Sequence, residues 1–105
     1  IECRINAKMA RKISNVLVPG GFGVRVDTAV YSGCDVPPNY DAMLIKLIVH
    51  DRDRKSAVRK MQCALGELVV EGVETNLEDQ YEIFTHPVYE AGPVDTGFME
   101  EYGLC

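Results

Sequence analysis

Ala42 to Val73 reads AMLIKLIVHDRDRKSAVRKMQCALGELVVEGV, and the reading of this stretch decides the fold. Ala42 to His50 is the longest apolar run of the chain, interrupted only by Lys46. Its length and β-branched content predict a central strand. After Asp51 the pattern changes period. Ala57, Val58, Met61, Ala64, Leu65 and Leu68 recur at helical spacing, and Asp53 stands where an N-cap carboxylate is wanted, so Asp51 to Leu68 is read as a helix. Val69 to Val73 returns to strand character.

Working outward, Ile1 to Asn6 alternates, with Ile1, Cys3 and Ile5 on one face and Glu2, Arg4 and Asn6 on the other. That is a half-buried strand presenting an arginine. Lys8 to Lys12 is a short basic connection. Ile13 to Val18 is a second strand, ended by Pro19-Gly20-Gly21. Gly23 to Val26 and Ala29 to Tyr31 are short strand candidates, and Ser32-Gly33 is a turn. Downstream, Asn76 is placed to cap a helix over Leu77 to Phe84 that Pro87 stops. Asp95 is placed to cap a short last helix holding Phe98 and Met99. The predicted class is α+β: one domain over residues 1–105, a mainly antiparallel β-sheet covered by two to three helices.

The chain has 105 residues, of which 47% are apolar and 26% charged, with a net charge of −5. An acidic chain is a poor binder of phosphate backbones, so no nucleic-acid partner is expected. The basic residues Arg52, Arg54, Lys55, Arg59 and Lys60 lie on the predicted helix and read as a solvated face. No apolar run approaches the ~20 residues of a membrane helix. Cys3, Cys34, Cys63 and Cys105 form no C-x-x-C pair and no metal-like spacing with His50 or His86, and no secretory leader pattern is seen. Reduced thiols and a cytoplasmic location are the expectation. The chain opens on Ile1, directly into a strand, and is expected to be a piece of something longer.

Candidate chemistry is sparse. In VPPNYDAM (Val36 to Met43), Pro37-Pro38 stiffens the approach to Asp41. This suits a placed carboxylate, although an acid satisfying a turn reads equally. Pro19-Gly20-Gly21-Phe22-Gly23 lacks the spacing, the following helix and the lysine of a phosphate loop. Lys46 reads either as a charge partner near Asp41 or as an edge lysine that discourages strand aggregation.

Five segments occur in one order: IECRINA, PGGFGVRVD, YSG followed by VPPNYDAMLIKLIV, VVEGVETN, and HPVYEAGPVDTGFME. Together they resemble the C-terminal domain of biotin carboxylase, the ATP-dependent subunit or domain of acetyl-CoA and related biotin-dependent carboxylases. The resemblance covers nearly the whole chain and implies a fold of the rudiment single hybrid motif type. Two departures stand out: the connection near 8–12 is several residues shorter than in the family, and Ile45 stands where relatives carry Gly or Ala.

The resemblance implies a ligase reaction in which bicarbonate and ATP, through carboxyphosphate, carboxylate the biotin of biotin carboxyl carrier protein, on the route to malonyl-CoA in fatty acid biosynthesis. Biotin's ureido nitrogen is a poor nucleophile, and deprotonating it places negative charge on the ureido oxygen. A fixed donor aimed at such an oxyanion is worth about 3–4 kcal/mol. Arg4 matches the family arginine assigned to that role; its bland alternative is a surface arginine paired with Glu2. Asp41 matches an aspartate at the biotin end of the site, where it pairs with an arginine from elsewhere in the enzyme. Phe22 and Arg25 match contacts of a homodimer interface, and a glycine-rich hairpin exposing one Phe is the alternative. The ATP-grasp region of the family, with its nucleotide site, Mg2+ or Mn2+ ligands, bicarbonate arginine and general base, has no counterpart in these residues. The isolated chain is therefore expected to bind none of these groups and to be inactive. A non-catalytic binding or dimerisation module is the rival reading; a small hydrolase is disfavoured because no Ser/His or Cys/His pair stands out.

Overall fold

The computed structural model describes residues 1–8, 12–36 and 43–103. Among these residues five strands and four helices follow in chain order. They are β1 (Glu2–Asn6), β2 (Asn15–Leu17), β3 (Val24–Thr28), β4 (Met43–Val49), α1 (Arg54–Glu67), β5 (Val69–Glu71), α2 (Leu77–Thr85), α3 (Pro87–Ala91) and α4 (Phe98–Glu101). The apolar run supplies β4, which lies in the centre of an antiparallel sheet of order β1-β4-β3, while β2 and β5 form a separate antiparallel pair. The class is α+β, as the two sequence periods require.

The register explains the alternation. Cys3 faces Leu47 and Ile5 faces Ile45 across β1 and β4, while Val26 faces Leu47 across β3 and β4. These side chains share the core side with Val49 and with Ala57, Val58, Met61, Ala64 and Leu65 from the apolar stripe of α1. Ile45 is fully buried, so its side chain fills the core beneath the strand. Leu44 lies between the residues paired to Ile5 and Asn6, and the ladder shifts register there as a bulge. The shortest dimension of the molecule, 16 Å, has room for one sheet and one helix layer. On the other face of the three-stranded sheet Glu2, Arg4, Arg25 and Asp27 are exposed, while Lys46 and Ile48 of the central strand are half-buried.

Asp53 starts α1 as its position suggests: extended at φ −147°, it accepts the Ser56 N–H at 2.7 Å through Oδ1. Ahead of it, Asp51 accepts the Arg52 N–H at 2.8 Å and meets Lys60 Nζ at 3.2 Å. Lys60 also donates to the His50 carbonyl at 3.2 Å. This junction seats the β3 turn, because His50 N–H donates to the Gly23 carbonyl at 2.8 Å and Gly23 has φ +72°.

Several elements differ from the sequence expectation. Ala29 to Tyr31 is not a strand: Thr28 Oγ1 both accepts the Val30 N–H and donates to the Val30 carbonyl, each at 3.1 Å, closing a tight bend after β3. The strand expected over Ile13 to Val18 shortens to β2. Among the described residues four helices form instead of two or three, because Pro87 both ends α2 and opens α3, the first-turn position where its missing N–H is harmless. His86 caps α3 by accepting the Val88 N–H through Nδ1 at 3.2 Å. Its ring packs on Phe98, which is buried and docks α4. Lys46 is on the central strand, so the edge-lysine reading is corrected.

Two outcomes follow for stability. A Cβ at residue 23 would run into the His50 carbonyl and Lys60 Nζ on a left-handed backbone. Gly23→Ala is expected to lower unfolding free energy by at least about 2 kcal/mol in urea titrations. Gly20→Ala, with open space around it, should stay within about 0.5 kcal/mol of the parent. The second outcome concerns acid. Backbone N–H donation, from Arg52 to Asp51 and from Ser56 to Asp53, holds both carboxyls below the usual aspartate range, and Lys60 adds to the effect on Asp51. Groups with depressed folded-state values stabilise fully above about pH 4, and that stability is lost as pH falls through the folded values. Asp53→Asn keeps an acceptor for Ser56 without titrating, so it should reduce the difference in denaturation midpoint between about pH 6 and pH 3.

Candidate functional site

The exposed face of the sheet carries the chemistry that strand alternation places there. Arg4, Lys46 and Asp27 form one cross-strand row, and Glu2, Ile48 and Arg25 form the next. Arg4 Nε donates to Glu2 Oε2 at 2.9 Å, and Glu2 Oε1 lies 3.9 Å from Lys46 Nζ. Glu2 thus stands between two cations that the register brings side by side. On the far strand, Arg25 Nε donates to Asp27 Oδ1 at 3.0 Å.

The pairing of Arg4 with Glu2 foreseen as the bland alternative therefore forms. It engages only Nε. Among the described residues no hydrogen bond reaches the two terminal NH2 groups, and the side chain remains 63% exposed. A guanidinium held by its Nε and open along its outer edge can receive an oxyanion with two parallel donors. Exposed ion pairs of this kind contribute little stability, so the value of the contact lies in orientation.

The main chain beneath Arg4 is held from both sides. β4 pairs one edge of β1. On the other edge, Asn76 Oδ1 accepts the Asn6 N–H at 2.8 Å, and Asn76 Nδ2 donates to the Arg4 carbonyl at 3.2 Å. Asn76 occupies the N-cap position of α2, yet its side chain makes no cap bond there. Thr75 Oγ1 accepts the Leu77 N–H instead, at 3.2 Å. The sequence expectation of a capping side chain is corrected: position was right, and the amide turns to a strand 70 residues away.

Cys3, next to Arg4, points into the core, and burial pushes its thiol up to about 12, so it stays protonated and is no nucleophile at neutral pH. Asp41 lies outside the described residues. Phe22 projects from the turn before β3 and is 99% exposed, while Arg25 sits on the open sheet face paired with Asp27. A depression of about 260 Å3 lined by Asp27, Thr28, Met43 and Lys46 adjoins the cationic row. A larger one, about 360 Å3, lies between α1 and α3, and includes none of the row. The sequence pointed to Arg4 through alternation, whereas Lys46 stood out only as the single charge within an apolar run. It missed Asp27 as the end of the row and Asn76 as its support, because both follow from register rather than local pattern.

The model of the biotin carboxylase C-terminal domain matches residues 2–101. Biotin carboxylase 1 of Bacillus subtilis is 41% identical over 112 residues, covering 99% of this chain and 25% of that protein. The biotin carboxylase of Allochromatium vinosum is 43% identical over 108 residues, covering 96% of this chain and 24% of that protein. Among solved structures, the biotin carboxylase subunit of a pyruvate carboxylase superposes with a TM-score of 0.92 at 36% identity, over 97% of this chain and 24% of that one. The biotin carboxylase domain dimer of Hydrogenobacter thermophilus 2-oxoglutarate carboxylase, solved with MgADP and bicarbonate, gives 0.91 at 34% identity, with 97% and 24% covered. The chain thus spans about a quarter of the length of these relatives. With five motifs in order, the same sheet and a match across nearly all its residues, this chain belongs to the biotin carboxylase C-terminal domain family.

Proposed function

We propose that this chain is the C-terminal domain of an ATP-dependent biotin carboxylase and that it supplies one wall of the biotin site. The observation that carries the reading is Arg4: a guanidinium on a paired strand, fixed through Nε by Glu2 and open along its outer edge. As the ureido nitrogen of carrier-bound biotin loses its proton, charge accumulates on the ureido oxygen. Arg4 would meet that oxygen with a permanent positive charge, because a guanidinium does not deprotonate at physiological pH. Lys46, in the same row, adds positive potential, while Glu2 offsets the repulsion between the two cations.

In this reading Asp41 lies at the rim of the biotin pocket and pairs with an arginine from another part of the enzyme. Phe22 and Arg25 contribute to a homodimer interface; the full exposure of an aromatic ring on a glycine turn supports that assignment. ATP, Mg2+ or Mn2+ and bicarbonate are held by the remainder of the parent enzyme, and biotin carboxyl carrier protein is the partner. The shorter connection near 8–12 is part of the proposal, supported by an alignment of 112 positions to a chain of 105 residues. An acetyl-CoA carboxylase serving fatty acid biosynthesis in the cytoplasm is the physiological setting we favour, supported by relatives named biotin carboxylase.

The test uses the full-length parent. Arg4→Ala is expected to lower the rate of biotin carboxylation by about 10²- to 10³-fold. Bicarbonate-dependent ATP cleavage in the absence of biotin should continue, since its groups lie outside this chain. Unchanged carboxylation in the variant would defeat the assignment. The 105 residues alone should carboxylate no free biotin in the presence of ATP and bicarbonate.

A further inference from the structure

We infer that Asn76 is a positioning residue for Arg4, an inference that rests on the role proposed above for that arginine. β1 is an edge strand, with β4 on one side only. Along its other edge the carbonyl of residue 4 and the N–H of residue 6 point the same way, as they do in any extended strand. One carboxamide satisfies both: Oδ1 takes the Asn6 N–H at 2.8 Å and Nδ2 gives to the Arg4 carbonyl at 3.2 Å. The Asn76 N–H donates to the Asn6 carbonyl at 3.2 Å, so residue 76 pairs with β1 as a neighbouring strand would. The pairing continues beyond it, with Ala7 bridged to Thr75 and Lys8 N–H donating to the Glu74 carbonyl at 2.8 Å.

The support falls where β1 most needs it. The ladder to β4 is irregular between Ile5 and Asn6, one residue past Arg4, and a bulge allows local twist and bend. Without a restraint on the opposite edge, the peptide following Arg4 could rotate and swing the guanidinium away. The amide spans that irregularity from residue 4 to residue 6. Its helix-capping capacity is given up for this, and Thr75 takes over the cap. An asparagine is required because the two partners differ: one is a donor and the other an acceptor, and only a carboxamide offers both in one plane. Aspartate keeps the acceptor for Asn6 and turns an anionic oxygen onto the Arg4 carbonyl.

The experiment again uses the full-length parent, with Asn76→Asp and Asn76→Ser compared with Arg4→Ala. Misplacing a reacting group by about 1 Å can lower a rate by roughly 100-fold. Each Asn76 variant is expected to lose about 10- to 100-fold in the kcat of biotin carboxylation, with bicarbonate-dependent ATP cleavage and the KM for ATP unchanged. In an Arg4→Ala background the same substitutions should cause no further loss, since the arginine they position is gone. Additive losses, equal loss of both activities, or no loss would each overturn the inference. If neither variant retains ATP cleavage, the residue is structural and the inference falls. Arg4→Ala without effect would instead defeat the reading of Arg4 itself, and with it this one.

Discussion

The register of β4 is the constraint on which the rest of the structure depends. Ile45, Leu47 and Val49 must face α1, which leaves Lys46 and Ile48 on the opposite side. A slip of one residue would drive Lys46 into the core and expel three buried side chains, a cost of several kcal/mol at about 1.5–3 kcal/mol for each apolar residue. Core packing therefore fixes the position of the charged row. Because β1 and β3 pair to β4 in register, Arg4 and Asp27 fall on either side of Lys46 without any attraction having to bring them there.

Electrostatics then adjusts what packing has placed. Two adjacent cations directly across a strand pair repel, and like charges at such positions are destabilising. Glu2 answers this by lying between Arg4 and Lys46, at 2.9 Å from one and 3.9 Å from the other. The energies are small, since exposed pairs contribute about 0–1 kcal/mol. The geometric effect is larger in consequence, because Glu2 consumes the Nε donor and leaves the outer edge of the guanidinium for a ligand.

Much of this was legible in sequence, and the failures have one physical origin. Alternation in Ile1 to Asn6 located Arg4 on an exposed face, and helical spacing located α1, with Asp53 at its N-cap. Those signals are local. Asn76 was correctly placed at a helix start, but its partner is β1, and nothing near it in sequence says that a strand edge lies within reach. Lys46 was ambiguous for the same reason: whether a strand is central or at an edge depends on partners roughly 20 to 40 residues away. Ala29 to Tyr31 has strand-like composition, but pairing ends at the Ala29 N–H, which donates to the Leu44 carbonyl at 3.2 Å, and the Thr28 hydroxyl then takes both main-chain groups of Val30. Pro87 carries two meanings, helix stop and helix start, and composition favours neither.

The glycine turn before β3 obeys the same rule that position is set by what lies beneath. Only glycine suits residue 23, because its φ of +72° is left-handed and the His50 carbonyl and Lys60 leave no room for a side chain. Its neighbour Phe22 is then carried outward, 99% exposed, on a turn anchored through His50 N–H and the Lys60–Asp51 pair. An aromatic ring on such an anchored turn has less backbone freedom to lose when a surface covers it. The junction that begins α1 therefore serves two ends. Through β4 it keeps the core register that places Arg4, and through Gly23 it holds Phe22 outward for the proposed homodimer interface.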